Sequence, residues 1–569
     1  MMDDIDAAAP ARASAPASFA SKLGLPSRAL PALSCGCASE SQLDRWLSQY
    51  ELHPFHPSDQ QRLVTLLAGL VEEVAQWRAP AATRLPILEL LRQHAVTCGD
   101  AIVTQRSALS ATQLEKLRRS LQPVVGLLQK LFVAYASLWV QLEDTAGVPF
   151  LMREKRARTL HRAVDAGGRL LRVTSLFGLA PPENCWRNLH LLLQRGFPQQ
   201  VAWRRVSDPL ESRGRTSAVD AYISAALFFS ANPGQLDGEQ QDAFWCRTRD
   251  WCRLGTLEEN YTETGDSLVA STELDQAPLP AGRLSARAVD SDRFRAPRGW
   301  RLGLSAVLQR VEKHLEKNFD PLVERARDAW GGATGRGEER KPGQAECVVS
   351  IGLGATCFNL REKDGSGPGT GDMTAWLDRE EERVCLEAAA VDYQSGRTMA
   401  EYDVSLPCAP SLRSERSAGT SGAARHYQTE VAEVFNRSAR GLGLRLSPAA
   451  GERLRVGELV GVRMPNGWQV GVIRWHLSRV DYSDAGVEIL ARHVAPVEVR
   501  RRNSAGRASA PIPALLTREG DGKCVALVLP VPLFKAYDEV EVITGSVTRP
   551  VSLQRQTVAT PSVARFDFV

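Results

Sequence analysis

No stretch of this 569-residue chain reads as a membrane span. The most apolar one, 121–142, is interrupted by Gln122, Gln129, Lys130 and Gln141 and carries Pro123 near its start. A span takes about 20 residues almost free of such groups, so a buried helix is expected and no membrane span. The first ten residues are acidic and have no apolar run, unlike a secretory signal. Paired cysteines are missing as well. The 11 cysteines are odd in number and scattered, and neither Cys35-Gly-Cys37 nor Cys246/Cys252 makes a C-x-x-C motif. Buried reduced thiols in a cytoplasmic protein are the expectation. A strong charge of one sign is also lacking: the net charge is +4, which gives no reason to expect DNA as a partner.

Catalytic signatures are absent too. There is no His-Glu-x-x-His and no Gly-x-Ser-x-Gly elbow. Gly352-Leu353-Gly354 lacks the third glycine of a dinucleotide fingerprint and, on this reading, the helix that should follow. The glycines of 331–337 lack the Gly-Lys-Ser/Thr ending of a phosphate loop. His53 and His56 stand beside prolines and suggest a turn rather than a metal site. The expectation is a non-enzymatic protein with no catalytic residues, no metal and no resident cofactor.

What is present is a change of period along the chain. A composition 43% hydrophobic and 24% charged is ordinary for globular domains, and the length predicts roughly two to four of them. Residues 1–40 are rich in Ala, Pro and Ser and predict a disordered N-terminus. A helical domain is expected over 41–255. Leu63, Leu66, Leu67, Leu70, Val71, Val74 and Trp77 draw one apolar stripe, with Ser58 and Gln61 as a capping box at its start. Thr112 and Glu115 repeat that spacing before a long helix over 114–142. Further helices are expected near 151–177, 182–196, 217–230 and 238–253. They form antiparallel helix pairs, of which a TPR-like solenoid is one form, although no strict repeat of about 34 residues is found. Residues 256–344 read as a linker with one helix at 304–318. From 345 the period is that of strands. A β-containing segment over 345–410 includes a run at 346–360 and a short strand at 402–406. A barrel follows over 411–500, then a small C-terminal β module over 501–569 with strands at 524–531, 539–543 and 563–568.

The most informative segment is 428–499. Glu430 to Val434 alternates as a strand and runs into Asn436-Arg437-Ser438-Ala439-Arg440-Gly441. Short strands then follow at 444–446, 455–462, 468–475 and 486–490, with Pro465-Asn466-Gly467 as a turn. This resembles the six-stranded barrel of the PilZ family, which carries Asp/Asn-x-Ser-x-x-Gly at the turn after its first strand. Here Asn436, Ser438 and Gly441 fill that motif. The helical region, with Trp186-x-x-Leu189-His190 and Ala231-Asn232-Pro233, is similar to the N-terminal part of large proteobacterial PilZ proteins.

The resemblance implies a bacterial effector that binds cyclic di-GMP. A side-chain amide at Asn436 suits a guanine edge, the Ser438 hydroxyl adds a polar contact, and Gly441 permits close approach. The family's other half is an Arg-x-x-x-Arg motif just before its first strand, whose guanidinium forks suit phosphates and the guanine Hoogsteen edge. With the first strand placed at 430, the candidates are Arg413 and Arg416, three apart, and Arg425. The expected ligand site is Arg413, Arg416, Arg425, Asn436, Ser438 and Gly441, and an unknown protein partner is expected to meet the helical region. The alternative is a barrel that has lost the nucleotide and acts as a scaffold for a motility or secretion partner. Arg153, Lys155, Arg156, Arg158 and Arg162 read as a solvated helix face, Arg500-Arg501-Arg502 as a linker, and Trp475 as barrel core.

Overall fold

The computed structural model describes residues 19–50, 56–107, 111–143, 150–211, 214–236, 238–258, 266–281, 298–318, 320–331, 341–363, 427–465, 467–501, 509–518, 525–545 and 547–569. They fall into two units, one ending at Gly337 and one beginning at Glu338. The strand expected at 402–406 lies outside the described residues.

The first unit is built from helices, with a two-stranded hairpin and a small four-stranded sheet. After a turn of helix, α1 (Phe19–Lys22), come α2 (Glu40–Ser48), α3 (Pro57–Gln76), α4 (Ala81–Ser107), α5 (Ala111–Glu143) and α6 (Phe150–Leu176). The stripe on α3 packs inward through Leu67, Val71 and Val74. Its N-cap is His56, without a side-chain bond, and Pro57 takes the first position. Proline presets that dihedral and has no N–H to satisfy, so Ser58 falls inside the helix rather than at the N-cap position. α5 is long and apolar enough by length and composition to cross a membrane, yet Leu121, Leu127, Leu131, Tyr135 and Leu138 are fully buried in the unit's core. α3, α4 and α6 pack around it.

The basic face expected on α6 divides. Arg153 and Lys155 are exposed, and Arg158 pairs with Glu154 at 3.1 Å. Arg156 is buried and donates to the carbonyls of Leu142 and Glu143 at 2.8 and 2.5 Å. A guanidinium there satisfies two of the carbonyls that every helix end leaves open. Arg162 is buried as well, in an ion network. Arg92 on α4 donates to Asp165 on α6 at 2.8 Å and to both oxygens of Asp208 at 2.9 and 2.8 Å. Arg162 reaches Asp208 at 2.9 Å and Glu89 at 2.9 Å, and Arg169 reaches Asp165 at 2.8 Å.

Asp208 stands just past β1 (Val206–Ser207), which pairs with β2 (Arg215–Thr216) in a two-stranded hairpin. α7 (Cys185–Arg195), α8 (Ala218–Ser230) and α9 (Gly238–Trp251) complete the bundle. α8 opens on a capping box between Ser217 and Asp220. α7 is capped from a distance: the Asp275 carboxylate accepts from the N–H groups of Asn184, Trp186 and Arg187 at 2.6, 2.9 and 3.2 Å.

The stretch expected as a linker is structured. β3 (Thr256–Glu258), β4 (Ser267–Ser271), β5 (Leu279–Pro280) and β6 (Gly299–Gly303) form an antiparallel sheet in the order β3-β6-β4-β5. α10 (Ser305–Leu315) and α11 (Pro321–Trp330) follow. These strands are two to five residues long, and β4 is buried at every position. Such a strand shows no alternation to read. On β6, Trp300 is fully buried against His190, Phe197 and Tyr222.

His190 is neutral in this setting. Its Nε2 donates to the Gln276 carbonyl at 3.0 Å and its Nδ1 accepts from the Tyr222 hydroxyl at 2.9 Å. Burial lowers its pKa to about 4. Burial likewise lowers His161 to about 3, with the neighbouring Arg162 acting in the same direction against Asp165 and Asp208. Both histidines therefore stay neutral in the folded unit at pH values where the unfolded chain protonates them. The unit should lose stability as the pH falls from about 6.5 to about 4, at roughly 3 kcal/mol per pH unit for the pair. Urea unfolding of the whole chain at pH 7 and pH 5 measures this. The slope should shrink by about half in His190→Gln.

The second unit holds two closed barrels. The first runs β7 (Lys341–Ile351), β8 (Glu430–Arg437), β9 (Gly441–Leu446), β12 (Ser483–Ala491), β11 (Gly467–Ser478) and β10 (Leu459–Met464), which closes on β7. The second runs β13 (His493–Arg501), β14 (Ile512–Arg518), β15 (Val525–Pro530), β18 (Val563–Phe568), β17 (Val547–Ala559) and β16 (Glu539–Thr544), which closes on β13. Both follow the same order of first, second, third, sixth, fifth and fourth strand. The C-terminal module is thus a topological copy of the barrel before it.

The strands of the first barrel start earlier and end earlier than 411–500. Its first strand is β7, whose outer half, Lys341-Pro342-Gly343-Gln344, shows no apolar period and bulges before Ala345. The run expected as a strand to 360 stops at Ile351. Gly352, at φ +93°, ends it, and α12 (Leu353–Lys363) opens there. A helix thus does follow Gly352-Leu353-Gly354, contrary to expectation, although the third glycine is still missing. α12 packs against β13, β14, β7 and β10, with Cys357 and Leu360 in a shared apolar cluster with Leu459, Val472, Leu515 and Val528. Arg500 and Arg501 belong to β13 rather than to a linker.

Candidate ligand-binding surface

The motif turn joins the second and third strands of the first barrel. β8 ends at Arg437 and β9 begins at Gly441. The Ser438 N–H donates to the Gly441 carbonyl at 2.8 Å, and the Arg440 carbonyl accepts from the Ile489 N–H at 2.9 Å. Arg492, the residue between the two barrels, donates to the Ala439 carbonyl at 2.5 Å. The turn is therefore held from both sides while Ala439, Arg437 and Arg440 remain exposed.

The strand register shows what surrounds Asn436. It pairs with Gly443, Gly443 with Gly486, and Gly486 with Trp475. Val434, Leu442, Leu444, Ala485, Val487 and Ile473 fill the barrel interior. Alternation therefore sends Gly443 and Gly486 outward. A Cβ on Gly443 would stand 2.6 Å from Asn436 Oδ1, and one on Gly486 would collide with the Trp475 indole. The Asn436 amide and the Trp475 ring thus lie over a floor of two glycines on the outside of the barrel. Trp475 is not barrel core, as its sequence context suggested. A bulge in β11 between Ile473 and Trp475 turns it out. Arg474 beside it pairs with Glu488 at 2.5 Å. Arg445 pairs with Asp484 at 2.9 Å and lies 4.1 Å over the Tyr482 ring.

Asn436, Ser438 and Gly441 are thus brought to one outer edge of the barrel. Arg413, Arg416 and Arg425 lie outside the described residues. The chain re-enters at Tyr427, which stacks on Phe358 at 4.9 Å and accepts from Asn359 Nδ2 through its carbonyl at 3.0 Å.

Placing the first strand at β7 changes where an arginine motif before it would fall. Arg336-Gly-Glu-Glu-Arg340 has the four-residue spacing and ends on the residue bonded to Lys341. Lys341 pairs with Arg437, and Pro342 with Asn436. The signal was in the sequence. It was hidden because 331–344 read as a linker and the first strand was placed at 430.

Comparisons with known proteins bear on the family of the chain. A family model described as "Cyclic-di-GMP receptor FimW, N-terminal domain" matches residues 41–262. A second, "Cyclic-di-GMP receptor FimW, middle PilZ domain", matches residues 307–496. A curated protein of Pseudomonas aeruginosa named Cyclic-di-GMP receptor FimW is 23% identical over 539 residues, covering 88% of this chain and 86% of that one. A solved structure described as "MrkH, A novel c-di-GMP dependence transcription regulatory factor" is 9% identical and covers 25% of this chain and 72% of its own, at a TM-score of 0.13. A score that low says nothing of this chain.

Proposed function

This chain belongs to the PilZ-domain family of FimW-type receptors with a helical N-terminal region, and on that premise we propose that it binds cyclic di-GMP on the outer face of its first barrel. The Asn436 amide meets a guanine edge, the Ser438 hydroxyl adds a polar contact, and the glycine floor lets the ligand lie close to the strands. Trp475 offers a ring face for a base to stack on. Arg336 and Arg340 supply the phosphate- and Hoogsteen-facing forks. Their spacing and their place before β7 favour them over Arg413, Arg416 and Arg425 for that role. The protein then acts in the cytoplasm as an effector, with ligand occupancy relayed to a protein partner of the helical unit.

The observation that carries this reading is the pairing of β7 with β8. It joins the strand that follows Arg336-x-x-x-Arg340 to the strand that leads into Asn436. Isothermal titration calorimetry of the whole chain tests it. Saturable heat with a micromolar or tighter Kd is expected, and a flat titration at ligand concentrations well above that range would sink it. Stacking on an aromatic side chain is worth about 1–3 kcal/mol per base. Trp475→Ala should therefore weaken binding roughly ten- to hundredfold, and Trp475→Phe clearly less, in the same titration.

A further inference from the structure

The hairpin of β1 and β2 in the helical unit carries arginines that no carboxylate among the described residues pairs with. Arg205 precedes β1, Arg215 is on β2, and Arg253 lies just beyond α9; all three are exposed. They are held together by their own backbone: the Arg215 guanidinium donates to the Arg205 carbonyl at 3.1 Å, and that of Arg253 to the Arg215 carbonyl at 2.5 Å. Among the described residues no carboxylate pairs with any of the three. The acids of the hairpin are turned the other way. Asp208 is taken by Arg92 and Arg162 beneath it, and Glu211 by Arg249. The ion network therefore pins the hairpin from below and leaves only cations on its outer side. Beside them Trp203 is 36% exposed and rests on Phe197 at 5.1 Å.

We propose that Trp203, Arg205, Arg215 and Arg253 form a docking surface for an acidic segment of a partner protein. Arg and Trp are the side chains that most often dominate protein interfaces. Guanidinium forks accept carboxylates two hydrogen bonds at a time, and here two of them are already positioned by backbone contacts, so less freedom is lost on binding. A nucleic acid fits less well. It is held by many cations set along a phosphate track, whereas these are three arginines gathered beside one short hairpin in a chain of net charge +4. The surface names a partner chemistry for the relay proposed above, but it does not depend on the nucleotide site.

The test uses the whole chain and a fluorescein-labelled octaglutamate peptide, read by anisotropy at low salt. Saturable binding is expected that weakens as salt is raised. It should weaken at least tenfold in the triple variant Arg205→Gln, Arg215→Gln, Arg253→Gln, and severalfold in Trp203→Ala. Arg153→Gln, an exposed arginine on another helix, should leave it unchanged. Urea unfolding of the triple variant that matches the wild type shows that its helical unit is folded, and unaltered heat of cyclic di-GMP binding separates this result from the nucleotide reading. Absence of saturable binding, or equal binding by the triple variant, overturns the proposal. So does tighter binding of a labelled 20-nucleotide single strand than of the peptide.

Discussion

Arg336→Ala combined with Arg340→Ala is expected to abolish cyclic di-GMP binding at any practical concentration. Each guanidinium contributes charge-assisted hydrogen bonds, and a bond to a charged group is worth about 1.5–3 kcal/mol. Losing both removes about 3–6 kcal/mol, a hundredfold to more than ten-thousandfold in Kd. The paired variant Arg413→Ala, Arg416→Ala should change Kd by less than about threefold, because in sequence these two arginines precede β8 and not β7, the first strand of the barrel. Titration calorimetry of the two double variants measures the contrast. The opposite ranking would move the phosphate-facing pair to the segment 411–425. Lysine at 336 and 340 should restore only part of the affinity, since an ammonium lacks the planar fork.

Arg92→Ala should cost the helical unit about 3–5 kcal/mol, the range found when one partner of a buried ion pair is removed. Arg92 is 2% exposed and joins Asp165 on α6 to Asp208 beyond β1. Without it both carboxylates lose their central partner, although Arg162, Arg169 and Arg249 remain nearby. Burial alone would raise the Asp208 carboxyl, but the hydrogen bond and charge of Arg92, helped by Arg162, overcome it and hold that group below the ordinary carboxylate range. Asp165 is likewise raised by burial, and is held well below that range by Arg169, Arg92 and Arg249. A depressed carboxylate contributes stability above its unfolded pKa of about 4, and this is lost as the pH falls through the folded value. The Arg92→Ala deficit should therefore be full at pH 7 and shrink below about pH 4. Urea unfolding followed by circular dichroism at the two pH values checks it. Cyclic di-GMP affinity of the folded variant should stay within about twofold of wild type, since Arg92 and the first barrel belong to separate units with cores of their own.

The helices and the barrel were legible because their signals are local. The α3 stripe and the apolar run of α5 repeat over several turns, and the strands around Pro465-Asn466-Gly467 are marked by turn residues. The small sheet of β3 to β6 was not legible: its strands are two to five residues long, and β4 is buried at every position, so neither length nor alternation is left to read. β7 was lost for a related reason, since its first four residues are polar and it is separated from β8 by 78 residues of chain. That one omission set the search for an arginine pair before β8 instead of before β7. The Asn436–Gly441 half was visible because its spacing lies within a single turn. The outward placement of Trp475 rests on cross-strand register and a bulge, which sequence alone does not carry. The ion network was invisible because it joins residues 73 and 116 positions apart. Arg162, the one member the sequence singled out, read as part of a solvated helix face.

Hydrogen–deuterium exchange of the whole chain, with and without saturating cyclic di-GMP, tests the central claim most directly. The account predicts slowed exchange at residues 436–443 and in the peptide ending at Lys341, with the second barrel unchanged. Saturable binding with protection confined to the second barrel or to the helical unit, and none at 436–443, would contradict it.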